Sequence, residues 1–261
     1  MRYFKLLAIF YKNALYAEME YRANFIASAL MSIFWVAFAW LGLYIFFFHR
    51  SQIGGWRFYQ AMLVVGGFTL FNGLIEALLR PNITRIVEQI RLGTFDFVLV
   101  KPVNSQFMAS LRHLSVFKLV DVGLGVGIII LALIKGEIMP STGQWFMALG
   151  FAANGALILY SIWVLMVSTA FWFVRVDNIT ELFTSIYETG RFPVHVYPGW
   201  LRAALTFVVP IAFVTTFPAE ALLGRAGPLF LGIACLLAAG LLTCSTVLWR
   251  FAVRHYSSAS S

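Results

Sequence analysis

The feature that most constrains this chain is a run of 26 residues, Ala23 to Phe48, without one charged side chain. A helix needs about 20 predominantly apolar residues to cross the hydrocarbon core of a bilayer. Similar runs recur along the chain. They are continuous rather than alternating, which argues against a transmembrane β-barrel. Only 11% of the 261 residues are charged, against about 25% in soluble domains. The sequence therefore predicts an all-α polytopic membrane protein.

The apolar runs predict six transmembrane helices in a single domain, residues 1–261, without a recognisable repeat. Residues 1–21 predict an amphipathic helix whose basic and aromatic residues suit the headgroup layer, an interface helix. A secretory signal is rejected because the charged region and the apolar run after it are both too long. The predicted spans are 23–48, 58–79, 114–134, 145–174, 200–217 and 228–249. Pro210 is expected to allow a kink in the fifth.

The polar interruption from Arg80 to Pro102 begins with a second amphipathic segment. Pro81 suits a first helical turn and Gly93 suits the residue just past a helix end. These signals predict a surface helix over 82–92, connecting membrane helices to something soluble, with 94–102 leading back into the membrane. The apolar face, at i, i+3, i+4 and i+7, consists of Ile83, Ile86, Val87 and Ile90.

A third amphipathic segment occupies 175–198. Asn178 is a candidate N-cap with Glu181 three residues later, the spacing of a capping box. Gly190 and Pro193 end the apolar stripe. Both a surface helix and the cytoplasmic start of the next span are consistent with this pattern.

Positive charge is distributed unevenly around the predicted spans. Of the 19 Lys and Arg residues, 15 fall in the termini and the two amphipathic segments with their flanks, and 4 fall on the opposite side. Positive residues concentrate in cytoplasmic loops, so both termini and both segments are predicted to be cytoplasmic, in a cell inner membrane. The net charge of +8 is explained by this bias, so nucleic acid is not predicted as a partner.

No motif of a soluble enzyme is present. The sequence lacks the Walker loop of nucleotide-binding proteins, the His-Glu-x-x-His motif of zinc proteases and the Gly-x-Ser-x-Gly elbow of hydrolases. The four histidines are scattered at span borders, and neither a metal nor a cofactor is predicted. Cys235 and Cys244 are interpreted as small apolar residues, not as a disulfide.

Polar residues within apolar runs are the candidates for function. Asn72 interrupts the second predicted span and Asp121 the third, where Lys118 is its expected partner. Glu220 follows Pro218 in the turn after the fifth predicted span, where the chain bends while still apolar. A local Glu76–Arg80 pair is expected at i, i+4. Two small-xxx-small pairs are expected to allow close helix approach: Gly123 with Gly127, and Ala234 with Ala238.

Three stretches resemble the membrane permeases of ABC-2 type transporters, of the roughly 260-residue branch that occurs as paired permeases. They are IRLGTFDFVLVKPVNSQF, VYPGWLRAALTFVVPIAFVTTFPAEALLGR and RFAVRHYSSASS. The order of elements is also similar, with an interfacial helix, six spans and a cytoplasmic helix between spans two and three. The resemblance covers essentially the whole chain.

The resemblance implies an ATP-driven exporter of a lipid-like, polysaccharide or drug-like substrate. A dimer of ABC ATPase subunits would bind ATP and magnesium, and a second permease, identical or homologous, would complete the pathway among membrane lipids. The helix at 82–92 would be the coupling helix, and the turn with Pro218 and Glu220 would be re-entrant, near the substrate exit. An ion-coupled carrier and a non-transporting scaffold are the alternatives. The implied ATPase-docking residues are Arg85, Glu88, Gln89, Arg91, Leu92 and Gly93.

Overall fold

The structure is a computed structural model that describes residues 2–20, 22–173 and 177–256. These residues form helices joined by short loops, without a β-strand among them beyond one bridge between Ile53 and Trp56. The α-helices are α1 (Arg2–Met19), α2 (Arg22–Phe48), α3 (Phe58–Leu74), α4 (Arg80–Arg91), α5 (Asp96–Leu99), α6 (Ser105–Leu111), α7 (Leu119–Lys135), α8 (Thr142–Thr169), α9 (Asp177–Glu188), α10 (Gly199–Ala203), α11 (Thr216–Leu222) and α12 (Pro228–Arg254).

Five helical stretches in the described residues are long and apolar enough to cross a membrane. A sixth candidate is a bent pair of helices. The chain is thus a helical membrane protein with five to six candidate spans. The five stretches are Ala23–Phe48, Phe58–Arg91, Val116–Lys135, Thr142–Thr169 and Pro228–Arg254.

A helix is present where 82–92 was predicted, as α4 with Pro81 in its first turn. It is not a separate element, however, because α3 continues through a π-helical turn (Ile75–Leu79) directly into α4. Pro81 has no N–H, so it cannot donate to the carbonyl of Ala77 as a helical residue would. The N–H of Ser115 donates to that carbonyl instead, at 2.8 Å. The π-turn and this substitute bond let the helix pass Pro81 unbroken, so α4 is the far end of the second span's helix.

Close packing of α3 against α7 forms the centre of the fold, and glycines make it possible. A Cβ on Gly125 would come within 2.7 Å of the Leu70 Cα, and one on Gly73 within 2.7 Å of the Val122 nitrogen. Gly123 and Gly127 have open space around them, so the expectation that they form the packing pair is wrong. Gly125, two residues from each of them, lies on the buried face of α7 together with Asp121 and Ala132.

The second expected small-residue pair lies in a helix contact. Ala234 and Ala238 are 0% and 2% exposed on α12, which packs along α8.

The helix α2 leaves most of its surface open: only 11% of its span is buried within the chain. Most of the apolar surface of α2 therefore faces outward from this chain.

The predicted fifth span at 200–217 is broken near Pro210, where a kink was expected. Gly199–Val208 and Ile211–Leu222 are bent by 75° relative to one another. Val209 lies in the break and Pro210 follows it. The ring of Pro210 fixes its backbone φ angle, and proline has no N–H to donate to a helical hydrogen bond. The two arms form a hairpin, which we call the 199–222 hairpin.

The 199–222 hairpin begins and ends at the same end of the bundle. At its beginning, Arg202 donates to the carbonyl of His195 at 3.1 Å. Just past its end, Arg225 donates to the carbonyl of Gly55 at 3.3 Å. Trp56 joins the two, because its ring lies 6.4 Å from that of His195 and 5.4 Å from the Arg225 guanidinium carbon.

The apex of the hairpin reaches the middle of the neighbouring helices. A Cβ on Gly155 of α8 would meet the Val214 Cα at 3.0 Å. The hairpin core is fully buried, with Ala212, Phe213 and Val214 at 0% exposure. The hairpin thus fills the interior between α8 and α3 without continuing to the other end.

The segment before the hairpin is α9, followed by 3₁₀ turns at Thr189–Arg191 and Val194–Val196. It contacts the neighbouring helices at three successive levels. Phe183 packs on Trp163 near the end of α8 at 5.7 Å, and Tyr187 stacks on Phe68 in mid-α3 at 5.0 Å. Phe192 then meets Phe46 near the end of α2 at 5.8 Å. Arg175 and the capping side chain of Asn178, both part of the sequence predictions, lie outside the described residues.

Candidate functional site

The turn after α4 is held in one shape by backbone geometry. Gly93 has φ +69°, a left-handed conformation that glycine adopts without a steric penalty. The N–H groups of Thr94 and Phe95 then both donate to the carbonyl of Gln89, at 2.9 and 3.2 Å. This closes the helix end as glycine-terminated helices commonly do and leads directly into the short helix α5.

Phe95 anchors this turn to the rest of the bundle. It is 0% exposed and its ring makes edge contacts with those of Phe171, Trp249 and Tyr256, at 5.5, 6.1 and 5.7 Å. Phe171 follows α8, whereas Trp249 and Tyr256 belong to the end of α12 and the residues after it. The turn is therefore fixed to the ends of two membrane helices.

The face of the same turn that points away from the bundle carries three exposed apolar side chains. Leu92, Phe97 and Val100 are 61%, 73% and 83% exposed. Glu88, Arg91 and Lys101, charged residues of the same stretch, are also exposed. We call these six residues the turn surface. Apolar groups rimmed by charges are typical of protein interaction sites.

The predicted docking residues do not all lie on the turn surface. Glu88, Arg91 and Leu92 do, whereas Gln89 and Gly93 shape the turn beneath it and are partly buried. Arg85, one turn earlier, is exposed toward a different feature, a cleft of about 650 Å³ between α1 and α4. Sequence reasoning missed Phe97 and Val100 because they fall in the segment interpreted as a lead into the membrane.

The cleft beside Arg85 brings together positive charge from two segments. Arg85 and Arg112 line it together with His113 and with Phe10 of α1. Burial, and then the charges of Arg85 and Arg112, lower the pKa of His113 to about 4. Burial and Arg112 likewise lower the pKa of the neighbouring Lys101. His113 is therefore neutral at pH 7, and the charged side chains that line the cleft are Arg85, Arg112 and Glu18 of α1.

A buried polar network connects the segment after α5 to the two long helices behind it. Gln106 of α6 donates to the Tyr160 hydroxyl at 3.2 Å, and Ser110 is hydrogen-bonded to the same hydroxyl at 3.2 Å. The Trp249 indole donates to the Ser105 hydroxyl at 3.2 Å. Because Tyr160 lies on α8 and Trp249 on α12, α6 is joined to both. The only sequence signal was the polar character of α6.

At the opposite end of the bundle, Glu220 meets residues that the sequence did not bring together with it. Its carboxylate lies 3.4 Å from the His195 ring nitrogen. Arg225, besides its bond to the Gly55 carbonyl, donates to the Gln60 side chain at 3.0 Å. Pro218 lies two residues before Glu220 in the first turn of α11 and is half-buried, a position where proline is tolerated.

The remaining intramembrane polar residues include one local ion pair. Glu76 and Arg80 form the expected pair at 2.8 Å. Asp121 is 8% exposed and packs where a Cβ on Gly73 would meet its own Cβ at 2.9 Å. The expected Lys118–Asp121 pair is wrong, because within the described residues no ion pair joins them. Asn72 is half-buried beside Gly73.

A family model described as ABC-2 family transporter protein matches residues 33–260. The chain belongs to this ABC-2 transporter family. It is accordingly a multi-pass membrane protein and a permease subunit that works with an ABC ATPase subunit. No curated protein and no solved structure matches the chain.

Proposed function

We propose that this ABC-2 permease is one half of an ATP-driven exporter and that its turn surface is where the ABC ATPase docks. The observation that carries this proposal is the group of exposed apolar side chains, Leu92, Phe97 and Val100, on a turn that Phe95 fixes in place. Exposed apolar residues on a membrane protein normally face lipid. These three lie among Glu88, Arg91 and Lys101 at the polar end of the bundle, so a protein partner is the better explanation.

The charge distribution supports a cytoplasmic position for the turn surface. Arg202 lies at the opposite end from the turn surface, and Arg191 lies over the Phe68 ring at mid-bundle, 5.2 Å away. With these two moved, 12 of the 18 Lys and Arg residues in the described part of the chain lie at the end of the turn surface and 5 lie at the other end. The bias still assigns the end with both termini to the cytoplasm of an inner membrane.

Continuity of α3 with α4 provides a route for force. ATP binding closes the ATPase dimer, the docked turns move together, and each turn displaces the second span directly because no flexible loop intervenes. Phe95 and the network of Gln106 and Tyr160 carry the same displacement to α8 and α12. The permease needs no nucleotide, magnesium or other cofactor of its own in this scheme, since ATP and magnesium are bound by the partner.

We propose further that residues 177–197 make the fifth crossing and that the 199–222 hairpin is re-entrant from the outer side. The contacts of Phe183, Tyr187 and Phe192 at three successive levels support the crossing. Six crossings leave both termini in the cytoplasm, and Pro218 and Glu220 then lie in the returning arm near the exit. The exposed face of α2 is available for the second permease.

Docking is tested by substituting the turn surface in the complex of permease and ATPase. Phe97→Asp with Val100→Asp is expected to reduce copurified ATPase about tenfold or more, because charge replaces the apolar centre of the interface. Met139→Asp is the matched control, since Met139 is 92% exposed in the loop at the other end. If the double variant retains the ATPase and its stimulated hydrolysis, the docking assignment is wrong.

A carrier driven by an ion gradient would transport without the ATPase, and a scaffold would bind the ATPase without transport. ATP-dependent export by proteoliposomes containing the complex, lost when ATP is omitted, is the expected result. Either alternative result would replace the proposed function.

A further inference from the structure

An ion pair lies at mid-membrane depth, outside every site described so far. Glu188, at the end of α9, and Arg191, in the turn that follows, contact each other. Arg191 also lies over the Phe68 ring, with 5.2 Å from the guanidinium carbon to the ring centre. Phe68 is about 15 Å along the helix from Phe58 and about 16 Å from Leu79, at 1.5 Å per residue. The pair therefore lies about halfway along the apolar part of that helix, which runs from Phe58 to Leu79.

Both charged side chains are open on the surface of this chain. The side chain of Glu188 is 45% exposed and that of Arg191 is 29% exposed. A charged residue at the centre of a bilayer is costly, and such residues almost always face the interior of a bundle or a water-filled cavity. Pairing two ions offsets only part of the cost of removing them from water. An exposed pair at this depth is therefore expected to face water or polar groups instead of lipid.

An apolar cavity of about 270 Å³ begins at the next residue along the chain. Phe192 and Tyr197 line it from one side, and Leu43 and Phe46 of α2 line it from the other. It lies between mid-membrane and the end where Trp56 and His195 meet. Its lining in this chain is predominantly apolar, so it suits a hydrocarbon or aromatic group.

We propose that Glu188 and Arg191 line a water-filled cargo pathway and that, together with this cavity, they form a binding site for an amphiphile with an ionised headgroup. The headgroup exchanges ion-pair partners with Glu188 and Arg191, while the apolar part occupies the cavity. A zwitterionic headgroup fits best because the site offers one charge of each sign. This inference rests on the proposed export function and adds the chemical class of the cargo to it.

Water access is tested first, in proteoliposomes containing the whole complex of permease and ATPase. Glu188→Cys is made with Cys235→Ala and Cys244→Ala and treated with a charged, membrane-impermeant thiosulfonate, which requires an ionised thiol. Leu157→Cys is the control, because Leu157 is 43% exposed at the middle of α8. The cysteine at 188 is expected to react at least about tenfold faster, since a lipid-facing thiol stays protonated. Equal, slow reaction overturns the inference.

The cargo class is tested with two fluorescent probes that differ only in the headgroup, a lysophosphatidylcholine and a monoacylglycerol. The complex is expected to bind the zwitterionic probe about tenfold more tightly, and Glu188→Gln with Arg191→Gln should abolish this preference. Glu76→Gln with Arg80→Gln is the matched control, an ion pair of another helix that should leave the preference unchanged. A preference that survives the first double variant, or that is absent from the native complex, overturns the assignment of cargo.

The two proposals fail in different ways. Copurification of the ATPase is measured on the same samples. If docking is intact but the cysteine at 188 is unreactive, only the pathway inference fails. If docking does not depend on the turn surface, the proposed function fails whatever the reactivity at 188.

Discussion

The side-chain amide of Asn82 is hydrogen-bonded to both backbone polar groups of His113. Its oxygen accepts from the His113 N–H at 2.8 Å, and its nitrogen donates to the His113 carbonyl at 2.7 Å. The same nitrogen also donates to the Leu78 carbonyl, and Asn82 is 1% exposed. One buried residue thus attaches α4 to the segment that begins the third span.

Replacing Asn82 by Ala is expected to destabilise the chain. The substitution leaves the two backbone groups of His113 without partners, at about 1 to 3 kcal/mol for each buried group. The measurement is the midpoint of thermal unfolding of the purified chain in detergent. Asn13→Ala, at an exposed position of α1, is the control and should leave the midpoint unchanged. Equal midpoints for both variants would show that the two hydrogen bonds to His113 contribute nothing to the stability of the chain.

Stability is expected to fall on acidification partly through His113. Its pKa is about 4 in the folded chain and 6.5 in the unfolded one, so between these values the unfolded state binds more protons. The contribution is complete above about pH 6.5 and is lost progressively down to about pH 4. His113→Gln should therefore reduce the decrease in unfolding midpoint between pH 7 and pH 4.5, relative to the native chain.

His255→Gln is the matched control for the pH experiment, because His255 is an exposed histidine at the end of α12. It removes an imidazole without touching the cleft of Arg85 and Arg112. If both variants change the pH profile equally, the effect does not come from the cleft.

A methyl group at Gly125 is expected to disrupt the contact between α3 and α7. The added Cβ would overlap the backbone of Leu70, with only 2.7 Å to its Cα, so the two helices would have to separate. Overpacking of this kind costs about 1 to 3 kcal/mol. Gly123→Ala serves as the comparison, since nothing lies within 4 Å of its added Cβ, and alanine favours a helix over glycine. Unfolding midpoints should fall for Gly125→Ala and stay level or rise for Gly123→Ala.

The proposed crossing at 177–197 makes a prediction about sidedness. Trp200→Cys, at a position 75% exposed, should be labelled by an impermeant reagent from the outer face of intact cells. Leu92→Cys should be labelled only after the membrane is opened. If 200–217 were the fifth crossing instead, both cysteines would be protected in intact cells, and that result would refute the re-entrant hairpin.

Apolar runs alone predicted the class of protein and the positions of five candidate spans. Each run is long enough to cross a bilayer whatever it packs against, so length and composition carry the information. The Glu76–Arg80 pair was predictable for a similar reason, since residues four apart in a helix are neighbours. Such local relationships do not depend on the rest of the fold.

The differences from the sequence predictions concern residues whose environment depends on distant parts of the chain. Pro81 does lie in the first turn of α4, but α4 is not a separate helix, because the Ser115 N–H satisfies the carbonyl that proline leaves free. The 200–217 run was predicted as a span with a possible kink at Pro210, and in the structure the chain bends there by 75°. Gly125 rather than Gly123 makes the helix contact. Gly125 of α7 packs on Leu70 of α3, and Val122 of α7 packs on Gly73 of α3, so these contacts decide which face of α7 is turned toward α3.

By itself, the sequence determined that this chain is a helical membrane protein with a polar, positively charged end, because apolar length and charge bias act residue by residue. Tertiary structure alone decided which part of Arg80–Pro102 faces outward. Folding over Gly93 buries Phe95 against Phe171 and Trp249, and this leaves Phe97 and Val100 exposed. Apolar residues of one short stretch thus have opposite environments. Only the aromatic residues packed against Phe95 distinguish the buried residue from the exposed ones.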